Sequence, residues 1–344
     1  SKCIAIEDDM DLSPLNLGMI ASYYYISYTT IELFSSSLTA KTKMKGLLEI
    51  LASASEYSTL PMRPGEEETM RKMINHQRFG IDKPKFTDPH VKANVLLQAH
   101  FSRVGVGNVL ALDQKEVLIN SSRLLQAMVD VISSNGWLNP ALAAMEMSQM
   151  VTQGLWENDS VLLQLPHFTK ELAKKCQENP GKSIETVFEL VEMEDEERRE
   201  LLQMSDAHLL DIARVCNRFP NIDVTYEIVD EDDITAGDNV TLQVSLEREQ
   251  DGRQELGPVD APRFPKPKQE GWWLVVGDPK SNQLLAIKRV SLQRKAKFKL
   301  DFTAPTEIGR KNYTLFFMCD AYLGCDQEYE FSVDVKRQED EDEG

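Results

Sequence analysis

The sequence predicts a multidomain α plus β protein in which two all-α domains precede a β-sandwich. In the first part of the chain, apolar residues recur every three or four positions, which is the period of helices buried on one face. From residue 221 the apolar period changes to two, which is the period of half-buried strands. A chain of 344 residues, 42% of them hydrophobic, is long and apolar enough to build two or three domains with their own cores.

The predicted helical bundle covers residues 1–160. Ser13 is followed by proline and resembles a helix N-cap, so a first helix is expected over residues 15–26. Asn135 is followed by glycine, which is typical of a helix end, and Asn139 is followed by proline, which is typical of a helix start. Further helices are expected at 29–34, 42–53, 66–76, 90–103, 113–134 and 140–156.

A predicted helix–loop–helix domain covers residues 161–220. Thr169 and Ser205 each stand like an N-cap in front of an amphipathic stretch. The charged run 192–199 between them is expected to form one short solvated helix. Units of this kind often bind nucleic acid, but an acidic one is equally well explained as a packing module.

A predicted β-sandwich covers residues 221–337. Ile222, Val224 and Tyr226 alternate with polar neighbours, and six further segments alternate in the same way or form short apolar runs. Seven short strands separated by turns are typical of an immunoglobulin-like or fibronectin III-like sandwich. The acidic residues 338–344 are expected to form a disordered tail. The six further segments are 240–246, 272–276, 284–287, 298–302, 313–318 and 329–335.

The net charge of −18 limits the kinds of partner that the chain can attract. The first 160 residues carry 14 basic and 18 acidic side chains, so most of the negative charge falls on the remainder. Such a chain repels phosphate at long range, so any RNA contact has to be local. No apolar run is long enough to predict a membrane partner, and the N-terminus does not resemble a secretory signal. The five sparse cysteines are typical of reduced thiols in the cytosol or nucleus.

The short motifs that usually carry catalysis are missing from the sequence. It has no G-x-x-x-x-G-K-[ST] phosphate loop, no H-E-x-x-H zinc helix and no G-x-S-x-G nucleophile turn. Cys319 and Cys325 lie close in sequence, but no histidine is near them, so no metal site is expected. We therefore expect no catalytic residue, metal or cofactor in this chain. An enzyme stays open only if distant residues assemble a site.

Trp272 and Trp273 are the candidate protein-contact residues. They are adjacent on a predicted strand, so their side chains should point to opposite faces. One ring is expected to fill the sandwich core. The other is expected to be exposed and to mark a surface for protein contact.

Several segments resemble one known family, in order and over almost the whole chain. They resemble the Sec sixty-three homology unit, which follows the motor and winged-helix domains of certain superfamily-two helicases. Within that family, the acidic end and the Gly-Cys-Asp-Gln segment resemble the second, C-terminal cassette of a two-cassette spliceosomal RNA helicase. The segments are 15–34, 85–100, 133–138, 164–168, 271–273 and 320–329.

The resemblance implies three modules and a function. The modules are a helical bundle, a helix–loop–helix domain and a fibronectin-like sandwich. The parent protein would be an ATP-dependent RNA helicase whose motor domains, outside this chain, bind ATP and Mg. This chain would be a non-catalytic, nuclear scaffold in the unwinding of paired U-four and U-six RNAs and in spliceosome activation. Its partners would be spliceosomal proteins and the motor domains of the same chain, with weak or indirect RNA contact.

In the family, one long bundle helix crosses the nucleic-acid tunnel beneath the motor domains and acts as a ratchet. The resemblance puts this helix at about residues 114–134, with Ser122, Arg123 and Gln126 as candidate nucleic-acid contacts. An arginine suits contact with a phosphate or a base. Where active cassettes tend to have a second arginine, this chain has Gln126, which favours regulation and docking over a tight grip on RNA. The reading of Arg123 as an ordinary surface arginine stays open.

A second hypothesis keeps the same fold but places it in another protein, and it also stays open. The same unit occurs in a signal-cointegrator helicase and in meiotic and repair helicases. It also occurs in a translocon subunit of the endoplasmic reticulum, but that protein needs membrane spans and a J domain, neither of which is present in this sequence.

Overall fold

The computed structural model describes residues 4–7, 11–14, 16–249 and 255–338. Except for its first residue, the expected acidic tail lies outside these ranges, as does Cys3. The chain divides into two compact units, each of which is described separately below. The first consists of Ser1–Asp159, Ala261–Lys268 and Ala321–Leu323, and the second of Ser160–Asp260, Gln269–Asp320 and Gly324–Gly344.

The first unit is mainly helical, as the apolar spacing predicts. Its long central helix spans 27 residues, or about 40 Å, and packs against the helices before and after it. The elements are β1 (Ile4–Glu7), β2 (Asp11–Pro14), α1 (Asn16–Tyr23), α2 (Tyr28–Ser37), α3 (Met44–Ala52), α4 (Glu66–Ile74), α5 (Pro89–Phe101), α6 (Asn108–Ser134) and α7 (Leu138–Gln153).

Most helix boundaries in this unit differ from the sequence prediction by one to five residues, and the starts of three helices are the most informative. Ser13 does not cap the first helix, because it lies in β2, and the helix begins at Asn16. Helix α6 begins at Asn108, earlier than predicted, directly after a glycine with a φ of 82°. Helix α7 begins at Leu138 without a side-chain cap, and it ends at Gln153, directly before Gly154, whose left-handed conformation suits a C-cap glycine.

A network of four charged side chains lies inside the first unit. Lys92 is fully buried, and its Nζ lies 2.8 Å from both Glu66 Oε2 and Asp113 Oδ2. The guanidinium of Arg63 binds the same two carboxylates, at 2.9 and 2.6 Å. Lys92 also donates to the carbonyl of Pro61. Two cations therefore neutralise two anions, and the network joins α4, α5 and α6.

The second unit opens with short helices, as predicted for residues 161–220. Thr169 accepts a hydrogen bond from the Leu172 amide at 3.1 Å, and Ser205 accepts one from the His208 amide at 3.2 Å, so both predicted N-caps are confirmed. The charged run is not one helix as predicted, because Met193 and Glu194 have extended backbones that separate two helices. The helices are α8 (Lys170–Gln177), α9 (Val187–Glu192), α10 (Asp195–Leu202) and α11 (Asp206–Arg218).

Seven antiparallel strands follow in the described part of the second unit, and each matches a segment of the sequence prediction. One sheet has the order β3-β4-β7 and the other β6-β5-β8-β9. Leu242, Trp272 and Phe317 are among the large side chains buried in this part. The fold class is therefore confirmed as a mixed α plus β multidomain fold. The strands are β3 (Ile222–Ile228), β4 (Asn239–Arg248), β5 (Trp272–Asp278), β6 (Gln283–Val290), β7 (Lys295–Thr303), β8 (Gly309–Cys319) and β9 (Gln327–Val335).

Candidate functional site

Helix α6 carries the candidate nucleic-acid contacts, and one of its faces is only partly covered. Val117, Leu124 and Val131 recur every seven residues and are fully buried, so they fix the inward face. On the opposite face Leu112 is 65% exposed, and Ile119 is also exposed. Leu112 and Ile119 therefore leave some apolar surface of α6 uncovered in the described part of the chain.

Arg123 lies on this partly covered face, but its guanidinium is already engaged within the first unit. One Nη atom donates to the carbonyl of Tyr25 at 2.7 Å and, more weakly, to that of Tyr24 at 3.5 Å. The other donates to Asn120 Oδ1 at 2.6 Å. These bonds satisfy carbonyl groups that follow the end of α1 and fix the segment between α1 and α2 against α6.

Ser122 and Gln126 are the other two predicted contacts. The Ser122 hydroxyl oxygen is buried and has no hydrogen-bond partner in the part of the chain that the structure describes. Gln126 is half-buried, one helical turn along from Arg123. The three residues are thus close together, but they do not form an open row of donors toward solvent.

The sequence analysis missed an exposed aromatic surface beside Arg123. Met19, Tyr23, Tyr25 and Tyr28 are all exposed, Tyr25 to 89%, and we call these four residues the aromatic corner. Tyr24 differs, because its hydroxyl donates to Asp130 Oδ2 on α6 at 2.7 Å. A signal was present in the sequence: three consecutive tyrosines in a segment predicted to be helical would point in directions about 100° apart, so they could not all be buried on one face. In the structure α1 ends at Tyr23, and Tyr24 and Tyr25 follow it.

The expectation for Trp272 and Trp273 is wrong in one respect, because neither ring is exposed. Their exposed fractions are 0% and 2%. Trp272 stacks on Phe317 with ring centroids 4.2 Å apart, and the guanidinium of Arg289 lies 4.3 Å from the centroid of Trp273. Alternation along a strand separates the two faces of a sheet, but it does not say whether the outer face is left open.

Two histidines that are distant in sequence meet in the helix–loop–helix region. The rings of His167 and His208 stack with centroids 3.6 Å apart, and His167 Nε2 lies 2.8 Å from Asp211 Oδ2. The hydrogen bond with His167 lowers the pKa of the Asp211 carboxyl below its ordinary value. The described residues contain no group of three or more His, Cys, Asp or Glu side chains that could hold a metal ion.

None of the cysteines in the described ranges forms a disulfide. Burial raises the pKa of Cys216 to about 11 and that of Cys325 well above its ordinary value. These thiols are therefore protonated at neutral pH. None of the helices within the described ranges combines the length and apolarity needed to cross a membrane.

The fold and these surfaces define a class of protein: a helical bundle with one long, partly uncovered helix, joined in sequence to short helices and a seven-stranded β-sandwich. A family model described as the Sec63 Brl domain matches residues 14–332. The chain belongs to the Sec63 Brl domain family.

The relatives of this chain are much longer proteins. It is 76% identical over 336 residues to the DExH-box ATP-dependent RNA helicase DExH12 of Arabidopsis thaliana, and 58% identical over 339 residues to the U5 small nuclear ribonucleoprotein 200 kDa helicase of Homo sapiens. It is 44% identical over 341 residues to the activating signal cointegrator 1 complex subunit 3-like protein of Dictyostelium discoideum. The matches cover 96–98% of this chain but only 15–16% of each relative.

Proposed function

We propose that the chain is a non-catalytic module of a spliceosomal RNA helicase and acts in the nucleus. The motor domains that bind ATP and Mg would lie in the rest of a longer protein, since the chain matches only 16% of its helicase relatives. The identity of 58% to a U5 particle helicase supports the splicing assignment over the signal-cointegrator alternative, whose relative is 44% identical. Its role in unwinding paired U-four and U-six RNAs would be indirect.

We further propose that the module docks and braces proteins and contacts RNA weakly at most. The engagement of the Arg123 guanidinium by backbone carbonyls and Asn120 supports this most strongly. An arginine that already donates to three acceptors keeps only part of its five N–H donors for a phosphate, so its contact with RNA should be weaker. The aromatic corner and the exposed apolar residues of α6 suit protein contact, because aromatic residues are enriched in interfaces. The partners would be spliceosomal proteins and the motor domains of the parent.

RNA binding tests the second part of this proposal. We expect the chain to bind a labelled single-stranded oligouridylate only in the range of non-specific affinity, with a Kd of about 10⁻⁴ to 10⁻⁶ M at physiological salt. Arg123→Ala should change that Kd less than threefold, because the side chain is already engaged. Fluorescence anisotropy measures both values, and Arg71→Ala on the exposed surface of α4 is the matched control.

A nanomolar Kd that Arg123→Ala or Tyr25→Ala weakens more than tenfold would contradict weak contact. Circular dichroism at 222 nm has to show that each variant keeps its helices, since Arg123 also fixes the end of α1. A loss of RNA binding in a variant that has also lost its helices would not show that the substituted side chain contacts RNA.

Reconstitution tests the assignment to a splicing helicase. We expect the chain to bind purified protein subunits of the U5 particle and not those of the signal-cointegrator complex. The double variant Tyr23→Ser and Tyr25→Ser should weaken that binding, because it removes two exposed rings without removing a hydrogen bond to a side chain. Size-exclusion chromatography of the mixtures measures the outcome. Exclusive binding to cointegrator subunits would favour the alternative.

A further inference from the structure

The outward face of strand β7 carries a row of lysines in a strongly acidic protein. Lys295, Lys297 and Lys299 alternate with Ala296 and Phe298. All three lysines are exposed, whereas the alternate residues are partly buried. Successive lysines on one face of a strand are about 6.8 Å apart along its length. The row therefore places three positive charges on one face of β7.

The charges are balanced at the two ends of this row. Lys295 pairs with Glu247 at 3.6 Å. Beyond Lys299, the carboxylate of Asp301 accepts hydrogen bonds from Thr241 Oγ1 at 2.5 Å and Asn239 Nδ2 at 3.1 Å.

On the adjacent strand β4, Lys297 and Lys299 have neutral neighbours, although Asp301 follows Lys299 on the same face of β7. Lys297 lies opposite Ser245 and Lys299 lies opposite Gln243. Neither neighbour carries charge, so two adjacent cations lack a directly opposed carboxylate on β4.

Strand β6 adds a third cation at the open edge of β7. The ammonium of Lys288 lies 3.5 Å from the Lys299 carbonyl oxygen and 5.8 Å from the centroid of the Phe298 ring. At the opposite edge of the sheet, two strand spacings or about 10 Å from β7, strand β3 carries Asp223 and Glu227 on the same face. The positive strip is therefore narrow and has acidic residues on one side.

We propose that Lys297 and Lys299, with Lys288 beside them at the edge of β7, bind an extended acidic segment of a partner protein; these three residues are called the lysine cluster. In an extended peptide, carboxylates on alternate residues have the same 6.8 Å repeat as the lysines, to within about 0.2 Å. A single peptide strand is about 4.8 Å wide and fits the strip without reaching the acidic residues of β3. RNA is disfavoured, because its broader array of phosphates would meet Asp223 and Glu227 as well as a net charge of −18. The proposal goes beyond the splicing function and does not depend on it.

Lysines on an edge strand also have a simpler role, since they discourage two sheets from pairing edge to edge. Glutamates at the same positions would preserve that protective role, because any charge blocks pairing. They would abolish binding to an acidic peptide. Substitution of the lysines by glutamate, which reverses the charge, and by threonine, which removes it, therefore distinguishes peptide binding from protection of the edge.

The test is fluorescence anisotropy of a labelled peptide of five Glu-Thr repeats with the whole chain, at about 50 mM salt so that screening stays modest. We expect Lys297→Glu with Lys299→Glu to weaken binding at least tenfold. The matched control is Lys170→Glu with Lys175→Glu, which makes the same change in net charge at two exposed lysines of the α8 region. It should weaken binding less than twofold.

Three results would overturn the proposal. Equal losses in the two double variants would mean that the peptide senses only net charge. Tighter binding of a ten-residue oligouridylate through the same lysines would mean that the strip is an RNA site. The third result combines two observations: the charge-reversed variant binds the peptide as tightly as the unmodified chain does, and the Lys297→Thr and Lys299→Thr variant self-associates. The lysines would then have only the role of preventing edge-to-edge pairing.

Discussion

Lys92→Met is expected to destabilise the helical unit by about 3 to 5 kcal/mol, because it leaves the buried carboxylate of Asp113 and the partly buried one of Glu66 with one cation instead of two. The side chains have similar length, so the change removes charge with little loss of volume. Arg63 keeps its bonds to Glu66 and Asp113 but cannot neutralise both. Native-state hydrogen exchange of the α5 and α6 amides measures the free energy of opening for this unit alone, which matters because the chain has two units.

Two further variants make this result specific. Lys45→Met removes one partner of the exposed pair with Glu49 and should cost less than about 1 kcal/mol. Adding Glu66→Gln to Lys92→Met restores one cation facing one anion, so it should recover part of the lost free energy. A cost for Lys92→Met as small as that of Lys45→Met, or no recovery in the double variant, would show that the network contributes little.

The same network predicts how the stability of this unit depends on pH. Burial alone would raise the pKa of Glu66 and of Asp113, but hydrogen bonds from Lys92 and Arg63 outweigh it, so both pKa values lie below normal. Their stabilisation is therefore fully present above the unfolded pKa values of about 4, and it is lost as pH falls through the folded values. The unmodified chain should lose more helical stability between neutral pH and acid than a Glu66→Gln and Asp113→Asn variant, as followed by thermal melts.

Local patterns in the sequence were sufficient for most elements of the fold. The seven strands were predictable because β-branched and aromatic residues alternate with polar ones, as at Ile222 and Val224. Thr169 and Ser205 were predictable as caps because a side-chain oxygen reaches an amide only two or three residues away. Helix starts without such a cap, at Asn108 and Leu138, were misplaced because no short-range bond marks them.

Local patterns could not predict the environment of each candidate residue, because that environment depends on partners far away in sequence. Arg123 donates to the Tyr25 carbonyl, 98 residues earlier, and backbone acceptors leave no trace in the residue types. Lys92 looks like a surface lysine in its own helix. It is buried only because Glu66 and Asp113 approach it from two other helices. Trp273 follows the strand alternation as predicted, yet the guanidinium of Arg289 covers its ring.

A second buried ion pair leads to a comparable expectation for the β-sandwich. The guanidinium of Arg248 pairs with Glu270, and it also donates to the carbonyls of Gln293 and Leu292 at 3.0 and 3.1 Å. Glu270 Oε2 in turn accepts the indole N–H of Trp272 at 3.0 Å. Both charged groups have hydrogen-bond partners inside the sandwich. Removing one of them would leave the other as an unpaired charge in a poorly solvated place.

Arg248→Met should therefore cost about 3 to 5 kcal/mol, measured by hydrogen exchange of the β4 and β5 amides. Arg248→Lys should cost less than Arg248→Met but more than nothing. It keeps the positive charge, but an ammonium cannot make the two parallel bonds of a guanidinium. Arg248→Met with Glu270→Leu removes both charges and should recover most of the loss, whereas Lys295→Met at an exposed pair of the same sheet should cost under about 1 kcal/mol. If the double variant is no more stable than Arg248→Met, the loss comes from packing around the arginine stem rather than from an unpaired carboxylate.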